Sequence, residues 1–191
     1  MSTSLHITGD AAADELLSAD PLALLLGMLL DQQVPMETAF AGPAKIRDRL
    51  GAFDARTLAD ESEERLTEVF RTPPSVHRYP GSMAGRTKAL CEALVEHWDG
   101  DASAVWTRDD PDGPEVLRRL RALPGFGEQK AKIFLALLGK QCGLPAAGWR
   151  EAAGPYGEAG SYRSVADIVD RDSLTRVRET KRAAKAAAKN G

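Results

Sequence analysis

The chain has 191 residues, 43% apolar and 28% charged, a balance that suits one large domain or two small, closely packed lobes. Two cysteines, Cys91 and Cys142, are too few for a four-thiolate zinc or iron–sulfur site, and three scattered histidines have no metal-ligand spacing. The net charge of −3 hides an asymmetry: residues 1–116 carry 10 Lys/Arg against 21 Asp/Glu, whereas 117–143 and 173–191 each carry 6 against 1. A polyanion responds to such local patches, although each alone also reads as a solvated face.

The opening, Met1 to Asp20, is polar and acidic and lacks the basic start and apolar stretch of a secretory signal, so cytosol is the expected compartment. Ser18-Ala19-Asp20-Pro21 reads as a cap with a Pro-initiated first turn. Leu22 to Leu30 follows as a helix apolar nearly all round, a central buried helix too short to span a bilayer. It stops at Asp31-Gln32-Gln33-Val34-Pro35, and a second helix is predicted from Pro35 to Leu50. Further helices are predicted over Glu61–Phe70 and Met83–Trp98, separated by a Pro/Gly-rich loop. A short turn is expected around Trp106. Helices over Glu115–Ala122 and Phe126–Gly139 come next, then Gln141–Ser161 without long regular structure, a packed Val165–Val169, and a last helix, Ser173–Ala188. Helical periodicity throughout makes this an all-α chain.

Residues 120–138 read LRALPGFGEQKAKIFLALL. Two helices are joined by a hairpin, Leu123-Pro124-Gly125-Phe126-Gly127, whose glycines are both expected to tolerate positive φ. Bare backbone N–H groups then face outward at a helix N-terminus, where an anion is favoured. Lys130 and Lys132, one turn on, would add contacts to a phosphate without reading base sequence. The plain alternative is a tight interhelical turn with no ligand.

This pattern of amphipathic helix, L-P-G-F-G, basic turn and apolar helix resembles the helix-hairpin-helix (HhH-GPD) base-excision DNA glycosylase superfamily, which includes endonuclease III and the 3-methyladenine DNA glycosylases. Leu29 to Val34 resembles the family segment in which a central helix ends in a glutamine-containing loop. There the resemblance makes Gln33 the side chain that fills the gap left by a flipped nucleotide. It covers roughly residues 20–143, the family-like core of a single unit spanning 1–191. It implies a helical fold of two closely packed lobes and double-stranded DNA, damaged by expectation, as partner.

Three departures stand against the family pattern. Gln129 occupies the place of the lysine nucleophile of lyase members, with Lys130 rotated by about 100° on the helix, so no lyase activity is expected. The cysteines needed for an iron–sulfur cluster are absent, so no cofactor is expected. The loop that follows the second hairpin helix in the family carries an aspartate, yet Gly143 to Trp149 holds no carboxylate. Breaking an N-glycosidic bond places positive charge on the sugar, and a carboxylate stabilises it or activates water. Asp31, beside the gap-filling loop, and Glu151 are the candidate replacements. Trp149, Tyr156 and Tyr162 either stack on an extruded base or pin their own loop to the core.

The expected function is a base-excision repair protein, a monofunctional DNA N-glycosylase acting on an alkylated purine or uracil. The alternatives are a non-catalytic DNA binder that has lost the chemistry, or a helical protein with a coincidental hairpin. The basic helix at 173–191, with Ser173 as its expected cap, is either a phosphate-contacting arm or a solvated terminal helix.

Overall fold

Asp10 starts the first helix of the computed structural model, which describes residues 4–191: its carboxylate accepts the Ala13 N–H and opens α1, Ala11–Ala19. The buried carboxylate of Asp14 accepts N–H groups from Ile7 and Thr8, folding the irregular segment before it onto α1. Sequence patterning passed over this helix, because only Leu16 and Leu17 give it an apolar face. The next helix, α2 (Pro21–Leu30), forms as expected: Asp20 caps Leu22, Pro21 takes the first turn, and every residue from Leu22 to Leu30 is buried.

Helix α3 (Met36–Leu50) lies along α2. Two short helices follow, α4 (Ala55–Asp60), capped by Asp54, and α5 (Glu63–Arg71), capped by Ser62. Both pack on α6, which runs Pro80–Trp98 and begins three residues before the expected Met83, with Pro80 in its first turn. Helices α1 to α6 form one lobe.

The second lobe is built around α9 (Glu128–Gln141). Before it come α7 (Ala104–Thr107) and α8 (Gly113–Arg121); after it come α10 (Trp149–Ala152), 3-10 turns at Gly154–Gly157 and Val165–Asp167, and α11 (Arg171–Lys189). Among the described residues there is no strand. No helix there is long and apolar enough to cross a membrane. The lobes meet where α2 touches α9, and one continuous core runs through both, including Leu25, Leu29, Phe126 and Phe134.

The segment from Gln141 to Ser161 has little regular structure, as expected, but it is tied down. The buried Gln141 amide donates to the carbonyls of Val165, Ala166 and Ile168. Lys140 pairs with Asp167 at 2.5 Å, both side chains largely buried. At α11 the cap differs from expectation: Asp170 is the N-cap and Ser173 sits three residues inside it. Each side chain bonds the other's backbone N–H. Within α11 Ser173 and Val177 are buried, so its first two turns anchor it.

Candidate functional site

A cavity of about 520 Å³ opens between the end of α2, the start of α9, the Pro155–Tyr156 turn and the middle of α11. Asp31, Gln32, Gln33 and Val34 form one wall, Gln129, Lys130 and Ile133 the second, and Thr180, Lys181 and Ala184 the third.

Asp31 ends α2 and is half-buried. Burial pushes its carboxyl above the ordinary carboxylate range, and the charges of Lys181 and Lys130 pull it partly back. Gln33 stands exposed at the rim with φ of 57°, left-handed backbone that is uncommon for a residue other than glycine. The loop holding both is bolted from behind. His77 Nε2 donates to the Gln32 carbonyl at 3.0 Å, while its Nδ1 accepts the Tyr79 N–H at 3.0 Å. That pairing fixes the neutral tautomer with the proton on Nε2. Burial holds the His77 pKa below its usual value, so the bolt stays neutral. Arg86 donates to Gln32 Oε1 at 3.3 Å.

The hairpin brings α9 against this loop. Gly125 has φ of 84°, and a Cβ there would come within 2.4 Å of Leu29 Cδ1, so close approach to α2 requires glycine. Gly127 differs from expectation. Its φ is −80°, a Cβ would meet open space, and it serves as the N-cap of α9 without any side-chain cap. The first backbone N–H groups of α9 are thus left to solvent or an anion.

The two lysines of α9 separate. Lys132 lies off the cavity wall and pairs with Glu128 at 3.0 Å. Lys130 is turned inward rather than outward toward a phosphate, because it shares the helix face of Phe126, Ile133 and Phe134. Its Nζ donates to the Leu29 carbonyl at 2.9 Å, and burial brings its pKa down to about 8. The neighbouring Gln129 amide donates to the Tyr156 hydroxyl at 2.9 Å.

Of the aromatics considered from sequence, Tyr156 lines the cavity and the other two do not. Trp149 lies on Gly139, where even a Cβ would come within 2.3 Å of the indole, and Arg150 stacks on its outer face. Tyr162 sits under the Arg176 guanidinium, 5.0 Å from ring centroid to Cζ. Glu151 is exposed on α10 and away from the cavity. No residue of Gly143 to Trp149 lines it either, so Asp31 is its one carboxylate among the described residues. The sequence assigned no role to His77 or Arg86 and set Lys181 only within the basic terminal helix, as part of a phosphate-contacting arm or a solvated face. In the structure Lys181 lines the cavity and shares one face of α11 with Val177, Thr180 and Ala184, at helical spacing.

The sequence model for HhH-GPD superfamily base excision DNA repair proteins matches residues 26–190. The chain belongs to the HhH-GPD superfamily. The match runs through α11, well beyond the end of the recognisable resemblance at Gly143, and takes in all three walls of the cavity. Membership makes this a base excision DNA repair protein that binds DNA, and it removes the reading of the hairpin as coincidence. No curated protein matches the chain. As an HhH-GPD protein it carries one free thiol in its core, Cys91, and one at its surface, Cys142.

Proposed function

We propose that this HhH-GPD protein is a monofunctional DNA N-glycosylase that acts on double-stranded DNA. The observation that carries the reading is a carboxylate, Asp31, in the wall of a cavity that also adjoins Gln33 and the uncapped start of α9. The N–H groups after Gly127 would hold one phosphate of the strand, with Lys132 nearby on the outer face. A nucleotide extruded into the cavity would leave a gap for Gln33, whose amide replaces lost base-pair hydrogen bonds. Asp31 then stabilises positive charge growing on the sugar or takes a proton from attacking water. Burial favours this role, since a carboxylate acts more strongly where water is excluded.

Hydrolysis rather than lyase chemistry is the reading because Gln129 occupies the nucleophile's place and its amide is engaged by Tyr156. Lys130 lies in the cavity, but its ammonium is held by the Leu29 carbonyl. The protein needs no cofactor for this reaction, and cytosol, or the nucleoid in a prokaryote, suits it.

The test is base release in single turnover from duplexes carrying uracil, hypoxanthine or alkylated purines, with borohydride trapping on an abasic site in parallel. Release without a trapped adduct is expected. A trapped adduct that disappears in Lys130→Met would make the protein a lyase through that amine. Tight binding of damaged duplex without release of any base would make it a non-catalytic lesion reader.

A further inference from the structure

The charges around the cavity are lopsided. Against the single carboxylate of Asp31 stand Lys130, Lys181 and Arg163. Arg163 is offset by an exposed partner, Glu158, at 3.3 Å. Glu37, outside the cavity, is taken by Arg178. Lys181 has no ion-pair partner among the described residues, and Lys130 spends one N–H on the Leu29 carbonyl and keeps two. The Tyr156 hydroxyl accepts from Gln129, which leaves its own proton to donate. The cavity is therefore rich in donors and cations and has one aromatic face.

We infer that this cavity selects neutral bases bearing ring carbonyls, the deaminated bases uracil and hypoxanthine, over cationic alkylated purines. The inference rests on the glycosylase reading and narrows its substrate. Two physical reasons point the same way. Like charges at close range in a partly desolvated site repel, so a 7-methylated purine, already cationic, is disfavoured on entering. The leaving groups also differ. When the C1′–N bond of a deaminated nucleotide breaks, its electron pair goes to the base, which departs as an anion with charge spread onto its carbonyl oxygens. Ammonium groups already in place stabilise that charge as it develops. A cationic purine departs neutral and gains nothing from them.

The full step balances within this chain's residues. Water adds its oxygen to C1′ and gives a proton to the Asp31 carboxylate, and the departing base takes one from the Lys130 ammonium. A lysine pKa of about 8 suits that transfer near neutral pH, where the group is still mostly charged yet is a far better acid than an exposed lysine.

The experiment compares duplexes carrying uracil, hypoxanthine or 7-methylguanine in single turnover at saturating protein. Each rate is expressed as enhancement over protein-free release from the same duplex. The enhancement for at least one deaminated base should exceed that for 7-methylguanine by about tenfold or more, the scale of one lost charge interaction. Lys130→Met and Lys181→Ala should each lower the deaminated-base enhancement by about tenfold and leave that for 7-methylguanine unchanged or raised. Lys181 lies on an exposed face of α11, so its variant carries the test even if Lys130→Met does not fold. Larger enhancement for 7-methylguanine, lost in Asp31→Asn, would overturn the substrate class and leave the glycosylase reading standing. Equal losses on both substrates would also overturn it. Release of no base would overturn both readings together.

Discussion

Asp31 precedes the hairpin unit in the chain and Glu151 follows it, and the contrast between them shows what turns a carboxylate into a usable group. Asp31 ends a helix buried from Leu22 to Leu30, so it leaves the core half-buried before the chain reaches solvent at Gln33. His77 and Arg86 hold that segment in place, and α11 covers it from the other side. Glu151 sits on a four-residue helix whose inward position is taken by Trp149 lying on Gly139, which leaves the acid in water. Burial shifts the first group's protonation, and Lys130 and Lys181 stand near it in the cavity wall; the second is exposed and away from that cavity.

The largest effect expected from this contrast follows Asp31→Asn. It keeps shape and hydrogen bonding, removes the charge, and should slow base release on the order of a hundredfold or more. DNA affinity should change little. The wild-type rate should fall on the acid side at a pH above the ordinary carboxylate value, because the raised pKa makes Asp31 pick up a proton earlier as pH drops. Asp31→Asn should lack that limb. Stability should move the other way. A carboxylate whose folded pKa is raised costs stability at pH 7, so the variant should melt higher there, and the gain should shrink as pH falls through the folded pKa. Single-turnover pH profiles and thermal melts of the two proteins measure both.

The comparison also shows which features are legible in sequence. The central helix, the hairpin and the α9 stripe could be read because composition and spacing force them: Leu22 to Leu30 has no polar face to expose, and L-P-G-F-G interrupts two amphipathic runs. Helix α1 was not legible, since it buries two leucines and one acid whose partners are backbone amides from the chain before it. The direction of Lys130 was available. It lies four residues after Phe126 and three before Ile133, on the core stripe, but a basic residue after a glycine hairpin suggests a phosphate contact first. The positions of Lys181 and Tyr156 were not available in the same way. They depend on how α11 and the 144–170 segment fold back, which Gln141 and the Lys140–Asp167 pair determine through contacts distant in sequence.

A second, smaller effect concerns the hairpin, where the two glycines are not equivalent. Gly125→Val would force a side chain into Leu29 and into left-handed backbone, so lost binding there would report lost folding. Gly127→Val meets open space at an ordinary φ, and the fold should survive. Its branched side chain would stand over the first N–H groups of α9 and hinder a phosphate. Affinity for duplex DNA should drop about tenfold, roughly 1.4 kcal/mol. The slope of log affinity against log salt should become shallower by about one unit, as for one lost phosphate contact. Unchanged affinity and slope would remove the hairpin from DNA binding.

The smallest effect should come from Glu151→Gln. Glu151 is in water, and no residue of its helix touches the cavity wall. To reach a sugar held beside Asp31, α10 would have to lift Trp149 from Gly139 and expose the indole, along with the Arg150 side chain that stacks on it and donates to the Gly157 carbonyl at 2.5 Å. Uncovering a large aromatic costs a few kcal/mol, more than one new contact to a sugar returns. The rate of base release should therefore stay within about twofold of wild type, a change of less than about 0.5 kcal/mol in the barrier, with DNA affinity unchanged. Measured beside Asp31→Asn on the same duplex, the pair forms an internal control, since both replace one carboxylate by its amide and differ in surroundings. A tenfold or larger loss in Glu151→Gln would mean that the 149–157 segment swings over the cavity when DNA binds, and that the two acids share the work.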